Sequence, residues 1–120
     1  MWSLRALLIG EAAAFAAAAL VHTEIVLPGN PDPAAATAES IIAGVLVLAV
    51  ALSVARPGWT RSAALAAQSF ALLGDLVGLT IFLVVEPERI ADIVFHVLIA
   101  AILIGGLAYA ARRPGEPVAG

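Results

Sequence analysis

Four long apolar stretches, separated by short breaks rich in proline and glycine, constrain this 120-residue chain more than any other feature. The stretches cover residues 4–27, 34–55, 62–85 and 90–111. Each has about the ~20 residues that a helix needs to cross the hydrocarbon core of a bilayer, and none has a proline in its interior. The pattern predicts an all-α integral membrane protein with the lipid bilayer as its first partner.

Composition excludes several classes of function. A chain that is 62% hydrophobic and 12% charged would leave too much apolar surface exposed as a water-soluble fold. The absence of cysteine excludes disulfides, thiolate metal sites and cysteine nucleophiles. The net charge of −3 and the six scattered arginines provide no basic patch, so nucleic acid is not an expected partner.

The breaks predict how the helices are connected. They cover residues 28–33, 56–61 and 86–89, and all of them contain proline. Connections this short favour antiparallel neighbours, so we expect a four-helix up-down bundle. Arg5 before an alanine-rich stretch is also typical of a secretory signal, but Glu11 lies inside that stretch, which favours a permanent helix.

The arginines predict the orientation of the chain. Arg89 falls on one side of a four-span arrangement, and all the others fall on the opposite side: Arg5, Arg56, Arg61, Arg112 and Arg113. Because basic residues are enriched on the cytoplasmic side, both termini are expected to be cytoplasmic. The chain is thus predicted to be a multi-pass membrane protein, with the plasma membrane as the favoured location.

An internal match indicates a tandem repeat. Shifting the chain by 57 positions places Trp2 on Trp59 and the Arg-Pro-Gly of 56–58 on that of 113–115. Within one transmembrane domain, 1–120, this predicts hairpin repeats at 1–57 and 58–115 and a C-terminal tail at 116–120. Chance agreement in a biased composition is the alternative. Parallel repeats would place equivalent residues at equal depth around one centre.

Polar residues within the apolar stretches indicate an internal site. An ionised side chain at the bilayer centre costs about 2.5–3.5 kcal/mol, so these residues should face the inside of the bundle. Asp75, His96 and Glu39 are the candidates for proton transfer or substrate binding. Glu11 and Gln68 are expected nearer the cytoplasmic side.

The acids near the helix ends are expected to have ordinary roles. Asp92 lies close to a helix N-terminus, where a carboxylate is favoured without any function. Four further acids are expected to be solvated loop or helix-start charges: Glu24, Asp32, Glu86 and Glu88.

Several functions fit this pattern. The first is binding or transport of a small solute or cation with proton coupling. The second is a metal or haem site, with His22, His96, Glu39 and Asp75 as ligands and any haem lying between the first and fourth helices. The third is a cofactor-free acid–base enzyme, a hydrolase or isomerase acting on a lipophilic substrate.

A structural subunit is the fourth possibility, and whether the chain is an enzyme stays open at this point. The cofactor, a divalent metal, a haem or none, stays open as well. The spacing of Gly74 and Gly78 is one that helices use for close packing, and it could serve a homodimer.

Overall fold

The computed structural model describes residues 2–24, 29 and 31–114. These residues form four α-helices, and a 3₁₀ turn at Pro57–Trp59 precedes the third. The helices are α1 (Trp2–His22), α2 (Pro33–Ala55), α3 (Thr60–Val85) and α4 (Ile90–Arg112). The described part of the chain contains no strand, so the predicted all-α class is confirmed there.

Each helix is long and apolar enough to cross a membrane. Large apolar side chains point away from the bundle on all four helices; Leu48 is 67% exposed and Val84 is 75% exposed. A surface of this kind is stable in hydrocarbon and unfavourable in water. The fold is therefore compatible with a small membrane protein.

Local sequence determines where α2 and α3 begin and end. The Asp32 side chain accepts a hydrogen bond from the Ala35 backbone N–H at 3.0 Å, and Pro33 occupies the first turn, where a missing N–H has no cost. Both helices end just before a proline, Pro57 after α2 and Pro87 after α3. A residue before proline disfavours the helical conformation, so these ends are as expected.

The first helix is shorter than the apolar stretch predicted. It ends at His22 instead of continuing to residue 27, because Glu24 adopts a left-handed conformation with a φ of 59°. The Thr23 N–H still donates to the Ala19 carbonyl, which completes the last turn. The His22 carbonyl accepts a hydrogen bond from Asp32 N–H. Residues 25–27 of the predicted stretch lie outside the described residues.

The first two helices lie side by side in opposite directions. Arg5, near the start of α1, donates from Nη2 to the Ser53 carbonyl near the end of α2, at 2.8 Å. At the other end of the pair, His22 contacts Glu39. The most extensive contacts join α1 to α2, α3 to α4 and α2 to α3, whereas α1 touches α3 and α4 less. The two ends of the molecule are called the Arg5 end and the Arg89 end below.

Two glycines bring α3 close to its neighbours within the chain. A Cβ on Gly74 would lie 2.8 Å from Ile42 Cδ1 of α2, and one on Gly78 would lie 3.0 Å from His96 Nε2 of α4. Both distances are too short for a side chain to be accommodated without movement. The small-residue spacing thus serves packing inside this chain, and a homodimer would need another surface.

Leu46→Ala should destabilise the bundle, because Leu46 is fully buried between the helices and its loss leaves a void. We expect a loss of about 2 kcal/mol or more in the free energy of unfolding, measured by denaturant titration in detergent. The matched control is Leu48→Ala on the same helix, whose exposed side chain should contribute less than about 0.5 kcal/mol. Equal losses in the two variants would contradict this packing.

Candidate functional site

His22 joins three helices at the Arg89 end. Its Nδ1 lies 2.5 Å from Glu39 Oε1 on α2, and its Nε2 lies 2.7 Å from Asp92 Oδ1 on α4. The three side chains are buried, with 2%, 4% and 8% of their surfaces exposed. We call these three residues the histidine bridge. It places His22 and Glu39, two predicted site residues, in direct contact.

The number of protons in the histidine bridge follows from hydrogen bonding. Each nitrogen–oxygen contact needs one proton, so the bridge holds two. They are either both on His22 between two carboxylates, or one on the ring and one on an acid. Both arrangements give the bridge a net charge of −1. Arg89 Nε lies 2.8 Å from Asp92 Oδ2 and offsets that charge, which limits the cost of burial.

Arg89 also contacts the acids of the connecting segments. Its Nη1 lies 3.1 Å from Asp32 Oδ2 and 3.6 Å from Glu86 Oε1, and its guanidinium lies 5.3 Å from the centre of the Phe82 ring. Asp32 and Glu86 were predicted to be solvated loop or helix-start charges. Asp32 does cap the start of α2, and both acids have an arginine partner as well. One cation therefore links the loops to the histidine bridge.

His96 has a defined orientation beside Asp75. Its Nδ1 lies 2.7 Å from the Asp92 backbone carbonyl, and because a carbonyl only accepts, Nδ1 donates the proton. Its Nε2 lies 3.9 Å from Asp75 Oδ1, which is too far for a direct hydrogen bond. The structure thus brings the predicted residues Asp75 and His96 together and leaves a gap between them.

A cavity of about 300 Å³ lies against this gap. Small and aliphatic residues of α2 and α3 form most of its wall, Phe15 and Phe82 add aromatic rings, and His96 lines it from α4. Val77 and Ile81 line it as well and are about half exposed, so the cavity opens at the side of the bundle between α2 and α3. We call it the acidic cavity, because four acids line it: Asp32, Glu39, Asp75 and Glu86.

Three buried carboxylate oxygens at the acidic cavity have no hydrogen-bond partner among the described residues. They are Glu39 Oε2, Asp75 Oδ1 and Asp75 Oδ2. A buried acceptor without a partner is costly, and natural proteins rarely leave one unless water, a proton or a ligand satisfies it. The wall of the cavity is thus built to accept hydrogen bonds or to attract positive charge.

Glu11 and Gln68 lie away from this cavity. Both are buried, on α1 and α3, and the Gln68 Nε2 donates to the Ala64 carbonyl at 3.2 Å. Gln68 and Asp75 are two helical turns apart on α3, about 10 Å along its axis. The predicted residues therefore form two separate groups.

The metal and haem hypotheses involve the same residues. Within residues 2–24, 29 and 31–114, no group of three or more His, Asp or Glu side chains is arranged to hold a metal ion. An apolar cleft of about 340 Å³ does lie between α1 and α4, with His22 and Asp92 in its wall. Both ring nitrogens of His22 already contact carboxylates, so coordination by His22 would have to break the histidine bridge. The ligand set His22, His96, Glu39 and Asp75 stays a prediction.

Sequence reasoning missed two members of this site. Asp92 was assigned an ordinary role at a helix start, yet its side chain contacts His22 and its carbonyl orients His96. Arg89 was used only to predict orientation. Their spacing was the available signal, because Arg89, Asp92 and His96 follow one another at three and four residues and share one helix face.

A double-mutant cycle on His22 and Glu39 should give a coupling energy of about 2 kcal/mol or more, because losing either partner leaves a buried atom of the other, His22 Nδ1 or Glu39 Oε1, without its hydrogen bond. The variants are His22→Leu and Glu39→Leu, measured by denaturant titration. The control pair is Arg89 and Glu86, whose 3.6 Å contact is partly exposed and should couple by about 0.5 kcal/mol. Similar coupling in the two pairs would argue against a buried bridge.

Comparison of the chain with models of known protein families, with curated proteins and with solved structures finds no match. The function proposed below is therefore argued from the geometry of the site.

Proposed function

We propose that this chain is a small multi-pass membrane protein that binds a small cationic solute in the acidic cavity and exchanges it for protons. The single observation that supports this most is the presence of three unpartnered carboxylate oxygens of Glu39 and Asp75, among the described residues, on an otherwise apolar wall. A cation or a proton satisfies these oxygens, and an anion does not.

The lining of the acidic cavity favours a cation with an apolar surface. Of the described residues that line it, four are acids and none is an arginine. The rings of Phe15 and Phe82 are part of its lining, and aromatic rings attract organic cations such as quaternary ammonium groups. The aliphatic remainder of the wall would contact the hydrocarbon part of such a solute.

Exchange with protons follows from the cost of charge in hydrocarbon. Asp75 can be neutralised by a proton or by a bound cation, and alternation between the two keeps the net charge of the interior constant. Glu39 connects the cavity to the histidine bridge, because it lines the cavity and its Oε1 contacts His22. This contact supports a proton relay from the Arg89 end through His22 to the cavity.

We extend the proposal to topology. The helices are taken to form an up-down bundle across the plasma membrane with both termini cytoplasmic, so that the Arg5 end faces the cytoplasm. In support, Arg5 and Arg61 bind backbone carbonyls at the same end of their hairpins. The acidic cavity would then lie in the outer half of the membrane.

The tandem repeat, 1–57 and 58–115, is part of the same proposal. Arg5 contacts Ser53, and Arg61 contacts Ala110, which lies 57 positions after Ser53. The two arginines lie 56 positions apart, one short of the repeat offset, and each binds an equivalent position near the end of its hairpin, which supports duplication.

We include a homodimer in the proposal. A bundle of four helices leaves little central space, and the cavity opens at the side of the bundle, so passage across the membrane would require a second copy.

A cofactor-free acid–base enzyme is the second candidate, because one observation favours it. His96 donates from Nδ1 to the Asp92 carbonyl, which leaves Nε2 near Asp75 as a base beside the cavity. Such an enzyme would convert a lipophilic substrate without an ion gradient, whereas the proposed exchange depends on a proton gradient.

The orientation can be tested with single cysteines, because the chain has none of its own. Glu88→Cys should react with a membrane-impermeant maleimide on intact cells, since it lies at the Arg89 end. Gly58→Cys at the Arg5 end should react only after the cells are opened. The reverse pattern would contradict cytoplasmic termini.

Uptake of radiolabelled tetraethylammonium into acid-loaded liposomes tests the proposed function. This probe carries a permanent charge, so it does not cross the lipid as a neutral base. We expect uptake with the wild-type protein, and at least about a tenfold loss with Asp75→Asn, because losing the charge removes stabilisation worth 1.4 kcal/mol or more.

The matched control for this uptake experiment is Glu88→Gln, an exposed acid outside the acidic cavity, which should transport like the wild type. Size-exclusion profiles of the variants establish that they are folded. Wild-type uptake equal to that of empty liposomes, or an Asp75→Asn variant as active as the wild type, would contradict the proposal.

A further inference from the structure

A second polar group lies toward the Arg5 end, where Glu11 of α1 and Gln68 of α3 meet Gly106 of α4. A Cβ built on Gly106 would lie 2.0 Å from Gln68 Oε1 and 3.0 Å from Glu11 Oε1. The two oxygens therefore approach the same point, which only a glycine leaves open. Glu11 is 2% exposed and Gln68 is fully buried.

The Gln68 amide contacts the backbone of its own helix. Its Nε2 donates to the Ala64 carbonyl at 3.2 Å. The Gln68 oxygen consequently faces Gly106 and Glu11. An acceptor is thus aimed at the carboxyl group from the opposite helix.

None of the side-chain oxygens in this group has a hydrogen-bond partner within the described part of the chain: Glu11 Oε1, Glu11 Oε2 and Gln68 Oε1. Two bare acceptors directed at one point repel each other, and an ionised carboxylate here would be uncompensated. A positive species between them removes both problems.

The surroundings provide little other charge. Along α1 the nearest ionisable residue is Arg5, whose guanidinium binds Ser53. On α3, Arg61 and Asp75 each lie seven residues from Gln68, about two turns away, and Arg61 binds the Ala110 carbonyl. The buried residues that α2 and α4 contribute between the two ends are apolar: Ile42, Ala43, Leu46 and Ala49 on α2, and Ile99, Ala100, Leu103, Gly106 and Ala110 on α4.

We propose that Glu11 and Gln68 hold a proton at a second site, separate from the acidic cavity. The Glu11 hydroxyl donates to Gln68 Oε1, and Gln68 in turn donates to the Ala64 carbonyl, so one proton completes a chain of hydrogen bonds. Hard metal cations such as Ca²⁺ take six or more oxygen ligands, and the described residues offer three unpartnered side-chain oxygens here. Gln68 is a positioning residue for this proton.

This site does not depend on the proposed function. If the cavity does exchange cations for protons, the second site stores a proton on the cytoplasmic side of the apolar layer that separates the two groups. If the cavity binds no solute, Glu11 still requires the same proton.

The test is labelling with N,N′-dicyclohexylcarbodiimide, which reacts with protonated carboxyl groups in apolar surroundings. The carboxyl proton moves to a carbodiimide nitrogen, the carboxylate oxygen bonds to the central carbon, and acyl migration gives a stable N-acylurea without loss of atoms. Peptide mass spectrometry locates the label. The full-length protein in detergent is used without any solute, as wild type and as Asp75→Asn.

We expect Glu11 to be labelled at neutral pH in both proteins, equally in NaCl and in choline chloride. Labelling in the Asp75→Asn protein separates this proposal from the cavity function, because that variant has lost the cavity acid. Absence of label on Glu11 in folded protein would overturn the proposal. Suppression by Na⁺ would overturn it as well, since the site would then hold a metal ion.

Positioning by Gln68 has its own matched pair of variants. Gly106→Ala places a methyl group against Gln68 Oε1, so the pH at half-maximal labelling should fall by about one unit, the value of one hydrogen bond. Gly105→Ala, which has open space around its Cβ, should match the wild type. If Gly106→Ala does not fold, Gln68→Leu removes the same acceptor. An unchanged midpoint in Gln68→Leu would contradict the positioning role.

Discussion

The contact of one imidazole with two acids on different helices is the interaction on which this structure depends most. His22 links α1 to Glu39 of α2 and to Asp92 of α4, and Arg89 supplies the charge that makes the group neutral. Because these partners are buried, a lost contact would leave a polar atom without a hydrogen bond, so the contacts favour one relative position of the three helices. Because Asp92 lies on α4 and its carbonyl contacts His96 Nδ1, the connection also orients the helix that carries His96.

The same constraint explains why the polar residues separate into two groups. At the Arg89 end, every buried or half-buried acid is close to an arginine, a histidine or the acidic cavity, whereas Glu11 has an amide oxygen as its neighbour. In both groups a glycine allows the close approach of a polar side chain from another helix. His96 packs against Gly78, and Gln68 packs against Gly106. Close helix contacts thus create the polar sites, because they bring side chains of different helices within reach without a lumen.

Helix class and most helix ends could be predicted from the sequence, because span length, proline and capping act locally, as Asp32 shows. The early end of α1 could not be predicted from the sequence, since Glu24 adopts a left-handed conformation that its residue type does not favour. Inward polar faces were foreseeable from the cost of charge in lipid. The sequence did not indicate which helix faces meet, because Asp92 contacts His22 through the packing of two helices that are distant in sequence. Whether the chain is a repeat, and what it binds, stay predictions.

The central claim is that a cation and a proton compete for the carboxylates of the acidic cavity. Calorimetric titration of the purified protein with tetraethylammonium, repeated in buffers of different ionisation enthalpy, counts the protons released on binding. We expect proton release by the wild type and none by Asp75→Asn, because the cation replaces a proton on that carboxyl. Binding without proton release, or no binding by folded wild-type protein, would contradict it.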